Sequence, residues 1–128
     1  MSRVYSSSHE DPDVSARLLT DFLAILRQGY YEAHWPMASG SLTHRRHIIR
    51  SVEHVSNSLV VRSSAGDAVV ENFGFFLLYP ERRDCGDGKI IAVDDDGRGV
   101  FEFWPREDAA GLPTALEAFR QAYAILTQ

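Results

Sequence analysis

The stretch KIIAVDDDGRGVFEFW, residues 89–104, decides the fold of this chain. It holds two apolar runs, Lys89–Asp94 and Val100–Trp104, on either side of a loop rich in Asp and Gly. These two residue types favour tight turns, because Gly accepts a positive φ and Asp bonds to its own backbone. The stretch therefore predicts two antiparallel strands joined as a hairpin.

Two further strands are predicted upstream of the hairpin. Leu59–Arg62 is a short apolar run, and the Ser64–Asp67 segment after it is typical of a turn. Ala68–Tyr79, which contains the longest apolar run, Phe73–Tyr79, predicts one central strand in which Gly74 marks a bend or bulge. Together with the hairpin, these runs predict a four-stranded, mainly antiparallel sheet.

A helix is predicted on each side of these strands. Asp11 is a suitable N-cap and Pro12 fits the first helical turn, so the first helix begins here and is predicted to end near His34. The last helix has Pro113 in its first turn, and apolar side chains follow at helical spacing. The predicted fold class is α+β, with the N-terminal and C-terminal helices packed on one face of the four-stranded sheet.

Residues 43–55 allow two interpretations. Ile48, Val52 and Val55 have helical spacing, which favours a short helix. In that helix the positive charges of Arg45 and Arg46 would lie in the first turn and oppose the helix dipole. A strand with a bulge is therefore the alternative.

The domain organisation predicted from composition is simple. With 128 residues, the chain is long enough for one domain with a hydrophobic core. Residues 1–10 are polar and Ser-rich and are predicted to form a flexible tail, followed by a single domain over residues 11–128. The N-terminus lacks an apolar signal segment and the one cysteine, Cys85, excludes an internal disulfide, so we expect a cytoplasmic protein.

The charge of the chain limits its partners. A net charge of −5 argues against a nucleic-acid surface and against binding to an anionic membrane, and it is compatible with a basic protein partner. If consecutive strands pair antiparallel, Asp67 and the acidic turn lie at one end of the sheet. The predicted binding surface combines these carboxylates with two large aromatic side chains: Trp35, Asp67, Asp94, Asp95, Asp96 and Trp104.

Known catalytic motifs do not occur in the sequence, which has no Gly-rich phosphate loop, no Gly-x-Ser-x-Gly turn and no His-Glu-x-x-His pattern. The sequence therefore predicts no catalytic residue, no metal site and no cofactor, and it favours a non-catalytic protein over an enzyme. The alternative is a pocket between helix and sheet, for a small ligand or for acid–base chemistry, in which arginines hold an anionic group. Its candidate residues are His34, His44, Arg46, His47, Arg50 and His54.

The segment Gly88–Phe103, followed by Leu116–Phe119, resembles the end of toxin-immunity domains: a strand, a Gly/Asp turn, a strand ending in aromatics and a closing helix. In size, acidity and terminal helices the chain is also similar to type III secretion chaperones. Both resemblances imply a non-catalytic domain that acts through protein–protein contacts, which is the function the sequence favours. A third hypothesis is a homo-oligomeric component of a phage or secretion assembly, packed through the alanines of the last helix.

Overall fold

The computed structural model of the chain describes residues 4–35, 47–64, 66–79 and 88–128. These residues form two helices, α1 (Pro12–Leu26) and α2 (Leu112–Leu126). The strands are β1 (Tyr5–Ser6), β2 (Tyr31–His34), β3 (His47–Val55), β4 (Ser58–Ser63), β5 (Gly66–Val70), β6 (Phe73–Tyr79), β7 (Lys89–Asp94) and β8 (Gly99–Pro105). The predictions at His44, Arg46 and Cys85 lie outside the described residues.

The described strands form one eight-stranded sheet in the order β1-β6-β7-β8-β2-β3-β4-β5. All neighbouring strands in this order are antiparallel. The α+β class and the antiparallel pairing are confirmed. The prediction of a four-stranded sheet with both terminal helices on one face is wrong. The segments that form β1, β2 and β3 were expected to be tail or helix, and the strand predicted over residues 68–79 is divided into β5 and β6.

The first helix is shorter than its sequence pattern predicts. It is capped by Asp11, whose side chain accepts from the backbone N–H of Asp13, as expected for that N-cap. It ends at Leu26, and Gly29 follows with a φ of +85°. A positive φ is open to glycine and ends a helix, so the chain turns back and Tyr31–His34 becomes β2.

Residues 47–55 are a strand, so the short helix predicted there is wrong. The ladder between β3 and β4 shifts register between Ile49 and Ser51, which confirms the alternative of a strand with a bulge. At the N-terminus, Tyr5 and Ser6 lie in the segment expected to be a flexible tail. They pair with β6 instead, because the Tyr5 ring is buried against Phe119 and Tyr123 of α2.

The long apolar run at residues 68–79 is two strands rather than one. β5 ends at Val70, Asn72 adopts a φ of 55°, and β6 begins at Phe73. Gly74 lies where the β6–β7 register shifts, so the bulge predicted at this glycine is confirmed. A Cβ at Gly74 would lie 2.7 Å from the carbonyl oxygen of Asp94, which explains why a glycine is needed in the bulge.

The sheet curls back on itself. β5 is last in the strand order and β6 is second, yet only residues 71 and 72 connect them. The two ends must therefore meet, and the backbone N–H of Phe73 donates to the carbonyl of Asn57 in the β3–β4 turn at 2.8 Å. The bulge in β3 supplies the bend that carries β4 and β5 round to this position.

The helices and the inner face of the sheet enclose one core. The Phe22 ring of α1 is fully buried, stacked on Phe76 of β6 with centroids 5.4 Å apart and edge-on to Phe119 of α2 at 4.9 Å. Helix α1 contacts α2, β3 and β6. Within the described ranges, neither helix is long and apolar enough to cross a bilayer.

Tyr31 gives a prediction about alkaline pH. Its buried hydroxyl donates to the carbonyl of Gly88 at 2.7 Å, and burial raises its pKa far above the usual value. Tyr31 ionises near pH 10 in the unfolded chain but stays un-ionised in the folded chain. The stability that its buried hydroxyl contributes is therefore present below about pH 10 and is lost as the pH rises above it. Tyr31→Phe is expected to be less stable at neutral pH by about 1 kcal/mol, because the carbonyl loses its donor.

Above about pH 10 the stability gap between the wild type and Tyr31→Phe should shrink by up to about 1.4 kcal/mol per pH unit, so that it closes by about pH 11 and then reverses. Urea unfolding of both proteins between about pH 8 and pH 11 measures this gap. A gap that stays constant over the whole range would contradict the buried, un-ionised Tyr31.

Candidate functional site

Two aromatic rings stack at the end of β2. The Trp35 side chain lies flat on the imidazole of His47, with ring centroids 4.4 Å apart and planes 16° from parallel. The Phe101 ring of β8 lies 5.9 Å from Trp35 on the same face of the sheet. The pairing of β2 with β3 explains why Trp35 contacts His47. Ala33 of β2 is opposite His47 of β3, and Trp35, two residues after Ala33, shares its face of the sheet.

A cavity of about 330 Å³ opens beside this stack. We call it the Trp35 cavity; it is lined by Trp35, residues 68–71 at the end of β5, and Val100 and Phe101 of β8. Its walls are mainly apolar, and Val69 is 57% exposed at its mouth. The curl of the sheet creates this space, because β5 and β8 are brought face to face although they are distant in the strand order.

Two other hollows lined by described residues differ in character. A groove of about 260 Å³ between α1 and α2 is walled largely by alanine side chains, with Phe119 at its base. A second hollow of about 250 Å³ lies against Leu112, Leu116 and Arg120 of α2. The Trp35 cavity differs from both in having two aromatic walls, which makes it the better candidate for binding a ligand.

The opposite face of the sheet carries a network of charged and aromatic side chains, the Glu102 network. Oε1 of Glu102 lies 2.6 Å from Nζ of Lys89 and accepts from Nε1 of Trp104 at 2.8 Å. His34 stacks on Trp104 with centroids 4.3 Å apart, and its Nε2 lies 3.1 Å from Oε1 of Glu32. Lys89 and His34 are buried. These groups bond to one another, so the network holds Trp104 within the sheet face.

The structure separates the residues predicted for a histidine pocket. His34 and Ala33 are consecutive in β2, and Ala33 shares a face with His47, so the two histidines lie on opposite faces of the sheet. His54 is exposed with its ring against Phe73, and Arg50 is exposed in the β3 bulge. The pocket that was to combine these side chains is therefore not formed by the described residues.

The expectation that the acidic residues lie together at one end of the sheet is wrong, because Asp67 is at the first end of β5 and the turn at residues 94–96 bonds to Asn72, just beyond the last residue of β5. Asp67 is exposed at the start of β5, 3.8 Å from Nε of Arg62. In the β7–β8 turn, Oδ1 of Asp94 accepts from the backbone N–H groups of Asp96 and Arg98 at 3.0 and 2.9 Å. The carboxylate oxygens of Asp94, Asp95 and Asp96 lie within 4.8 Å of one another. The binding role predicted for these carboxylates stays a prediction.

Of the predicted site residues, Trp35 and His47 stack on each other, and Trp35 lines the cavity. Its other lining residues were not predicted, because they belong to segments whose pattern is typical of ordinary strands: Ala68, Val69, Val70, Glu71, Val100 and Phe101. One signal was available: the polar pair Glu71-Asn72 interrupts the apolar run and marks the turn at the mouth of the cavity. The Glu102 network was not predicted, because its side chains are brought together by the registers in which β2 and β7 pair with β8.

Comparison with known proteins bears on the fold. No protein-family model matches the sequence, and no curated protein matches it. Among solved structures the chain is similar to the crystal structure of ChuX, with a TM-score of 0.59 and 16% sequence identity over 98% of this chain and 77% of that chain. At this identity the likeness shows the fold alone. The resemblances to toxin-immunity domains and secretion chaperones stay predictions.

Proposed function

We propose that this chain is a non-catalytic binding protein for a small, flat, largely apolar ligand, held in the Trp35 cavity. One observation carries the proposal: a cavity of about 330 Å³ with two aromatic walls opens to solvent beside a buried imidazole. Ligand sites in proteins are mostly apolar and concave, with few polar groups. The cavity has this character.

The geometry favours a flat ligand. Trp35 is fixed by stacking on His47 and by its approach to Phe101, so its ring is a rigid surface. Flat rings gain most from such a surface, since aromatic contacts add about 0.5–1.5 kcal/mol to the free energy of burying apolar area. Binding of a small ligand was the alternative function predicted from the sequence. The pocket predicted there was lined by histidines and arginines, whereas the Trp35 cavity is lined mainly by aromatic and aliphatic side chains.

Other residues support binding rather than catalysis or capture of a protein partner. The charged groups of the Glu102 network bond to one another, and His34 and His47 lie on opposite faces of the sheet. Trp104, predicted as an interface residue, is stacked on His34. A basic protein partner at the acidic turns stays a separate prediction.

Val69→Ser is expected to weaken binding of the neutral flat dye N-phenyl-1-naphthylamine by about fivefold, because about 1 kcal/mol of apolar contact is lost. The exposed side chain of Val69 lines the cavity without supporting the core, so the fold is retained. Titration of the dye, followed by its fluorescence, measures the dissociation constant.

The matched control is Val55→Ser, a change at another exposed strand valine that lies outside the cavity lining. It should bind the dye as tightly as the wild type. Equal weakening by both changes, or no saturable binding to the wild type, would rule out the proposed site.

A further inference from the structure

The described residues that line the Trp35 cavity carry charge of one sign. Among the residues that the structure describes, Glu71 is the one charged side chain that lines the cavity. It lies in the turn between β5 and β6 and is exposed, so its carboxylate is accessible to a ligand at the cavity mouth. A ligand whose ring entered the cavity would therefore meet a negative charge at the rim.

The aromatic wall of the cavity, like Glu71, favours a positively charged ligand. The face of an indole ring is negative, and it attracts a cation placed within about 6 Å by about 0.5–2 kcal/mol. Trp35 is the strongest ring type for this interaction, and it lines the same cavity as Glu71. A carboxylate and an aromatic ring that line one cavity both stabilise a positive charge there and disfavour a negative one.

A neighbouring turn adds to the negative field. The backbone N–H of Asp95 donates to the carbonyl of Asn72 at 2.8 Å, which joins the β7–β8 turn to the turn that contains Glu71. Asp94, Asp95 and Asp96 bring three carboxylates to this position, and within residues 94–98 the opposing charge is Arg98. This turn is not itself proposed as a site; its field attracts cations to the adjacent cavity and repels anions.

From this arrangement we infer that the ligand of the Trp35 cavity is a flat organic cation, with its ring against Trp35 and Phe101 and its charge directed to Glu71. The inference rests on the proposed function and adds the charge of the ligand. It predicts selectivity among molecules that share one ring system and differ only in charge.

Three naphthalene derivatives test this selectivity: 1-naphthylmethylammonium, neutral 1-naphthalenemethanol and the anion 1-naphthoate. Each competes with N-phenyl-1-naphthylamine for the wild-type protein at neutral pH and low salt. The cation is expected to bind about five- to thirtyfold more tightly than the anion, with the alcohol between them. Raising the salt should reduce this ratio, because ions screen exposed charges.

Glu71→Gln removes the rim charge and keeps the size of the side chain. The ratio between cation and anion should fall by at least about threefold, while binding of the alcohol and the dye is unchanged and the preference due to Trp35 remains. Glu53→Gln, at an exposed carboxylate on β3 outside the cavity lining, should leave the ratio at its wild-type value.

The outcomes separate this inference from the proposed function. If the dye and the alcohol bind but the cation binds no more tightly than the anion, the cationic ligand is rejected and the cavity remains a binding site. An unchanged ratio in Glu71→Gln also rejects it. If neither the dye nor any of the three compounds binds, the proposed function and this inference both fail.

Discussion

Phe22→Ala is expected to lower the free energy of unfolding by about 3–5 kcal/mol, which is a large part of the stability of a domain of this size. The side chain is fully buried between Phe76 of the sheet and Phe119 of α2. Truncation leaves a cavity at the point where the three elements meet, and it removes two aromatic contacts. Urea unfolding followed by circular dichroism gives the difference.

Two further changes calibrate this result. Phe22→Leu keeps most of the volume and should lose clearly less stability than Phe22→Ala. Thr20→Ala lies on an exposed position of the same helix and should change stability by less than about 0.5 kcal/mol. A loss below about 1 kcal/mol for Phe22→Ala would mean that α1 does not pack between the sheet and α2 as described.

The second large effect is expected in the Glu102 network. Lys89→Met should destabilise the protein by about 3–5 kcal/mol, because it leaves the largely buried carboxylate of Glu102 without its cation. Only 6% of the Lys89 side chain and 21% of the Glu102 side chain are exposed, and Nζ of Lys89 also lies 5.5 Å from the ring centroid of Trp104. Chemical unfolding at neutral pH measures the loss.

A double change shows that the loss comes from the unpaired charge. Glu102→Gln removes the negative charge but keeps an acceptor for the indole N–H of Trp104. Lys89→Met combined with Glu102→Gln should therefore be at least about 1 kcal/mol more stable than Lys89→Met alone.

The exposed ion pair of Arg62 and Asp67 provides the comparison, because Arg62→Met should cost less than about 1 kcal/mol. Equal losses from Lys89→Met and Arg62→Met would contradict the burial of the Glu102 network. So would a double variant that is less stable than Lys89→Met.

The elements that the sequence predicted correctly are those whose signals are local. The hairpin of β7 and β8 follows from two apolar runs around an Asp/Gly loop, and the start of α1 follows from Asp11 and Pro12. The bulge at Gly74 was also predictable, since glycine in a strand marks such a site. In each case the residues that decide the structure are neighbours in the chain.

The errors arose where distant contacts decide the structure. Tyr31–His34 continues an apolar pattern compatible with a helix, and only pairing with β8 and β3 makes it a strand. Gly29 was a usable stop signal for the helix. Tyr5–Ser6 is too short to be recognised as a strand, and it is held by rings of α2 that lie more than a hundred residues away.

The site was predictable only in part for the same reason. Trp35 was singled out as a large aromatic, and His47 as a histidine, but their stacking depends on the pairing of β2 with β3. The cavity also requires that the sheet curl until β5 meets β8, which no local pattern encodes.

The binding of a flat ligand beside Trp35 is the central claim, and the two tryptophan indoles of the chain allow it to be tested directly. Each indole N–H gives its own signal in a ¹H–¹⁵N correlation spectrum, and Trp35→Phe and Trp104→Phe assign the two. During titration with N-phenyl-1-naphthylamine, the Trp35 signal should shift and saturate while the Trp104 signal, bonded to Glu102 on the opposite face, stays in place. Binding of the dye with a shift of Trp104 alone, or with neither signal moved, would contradict the claim.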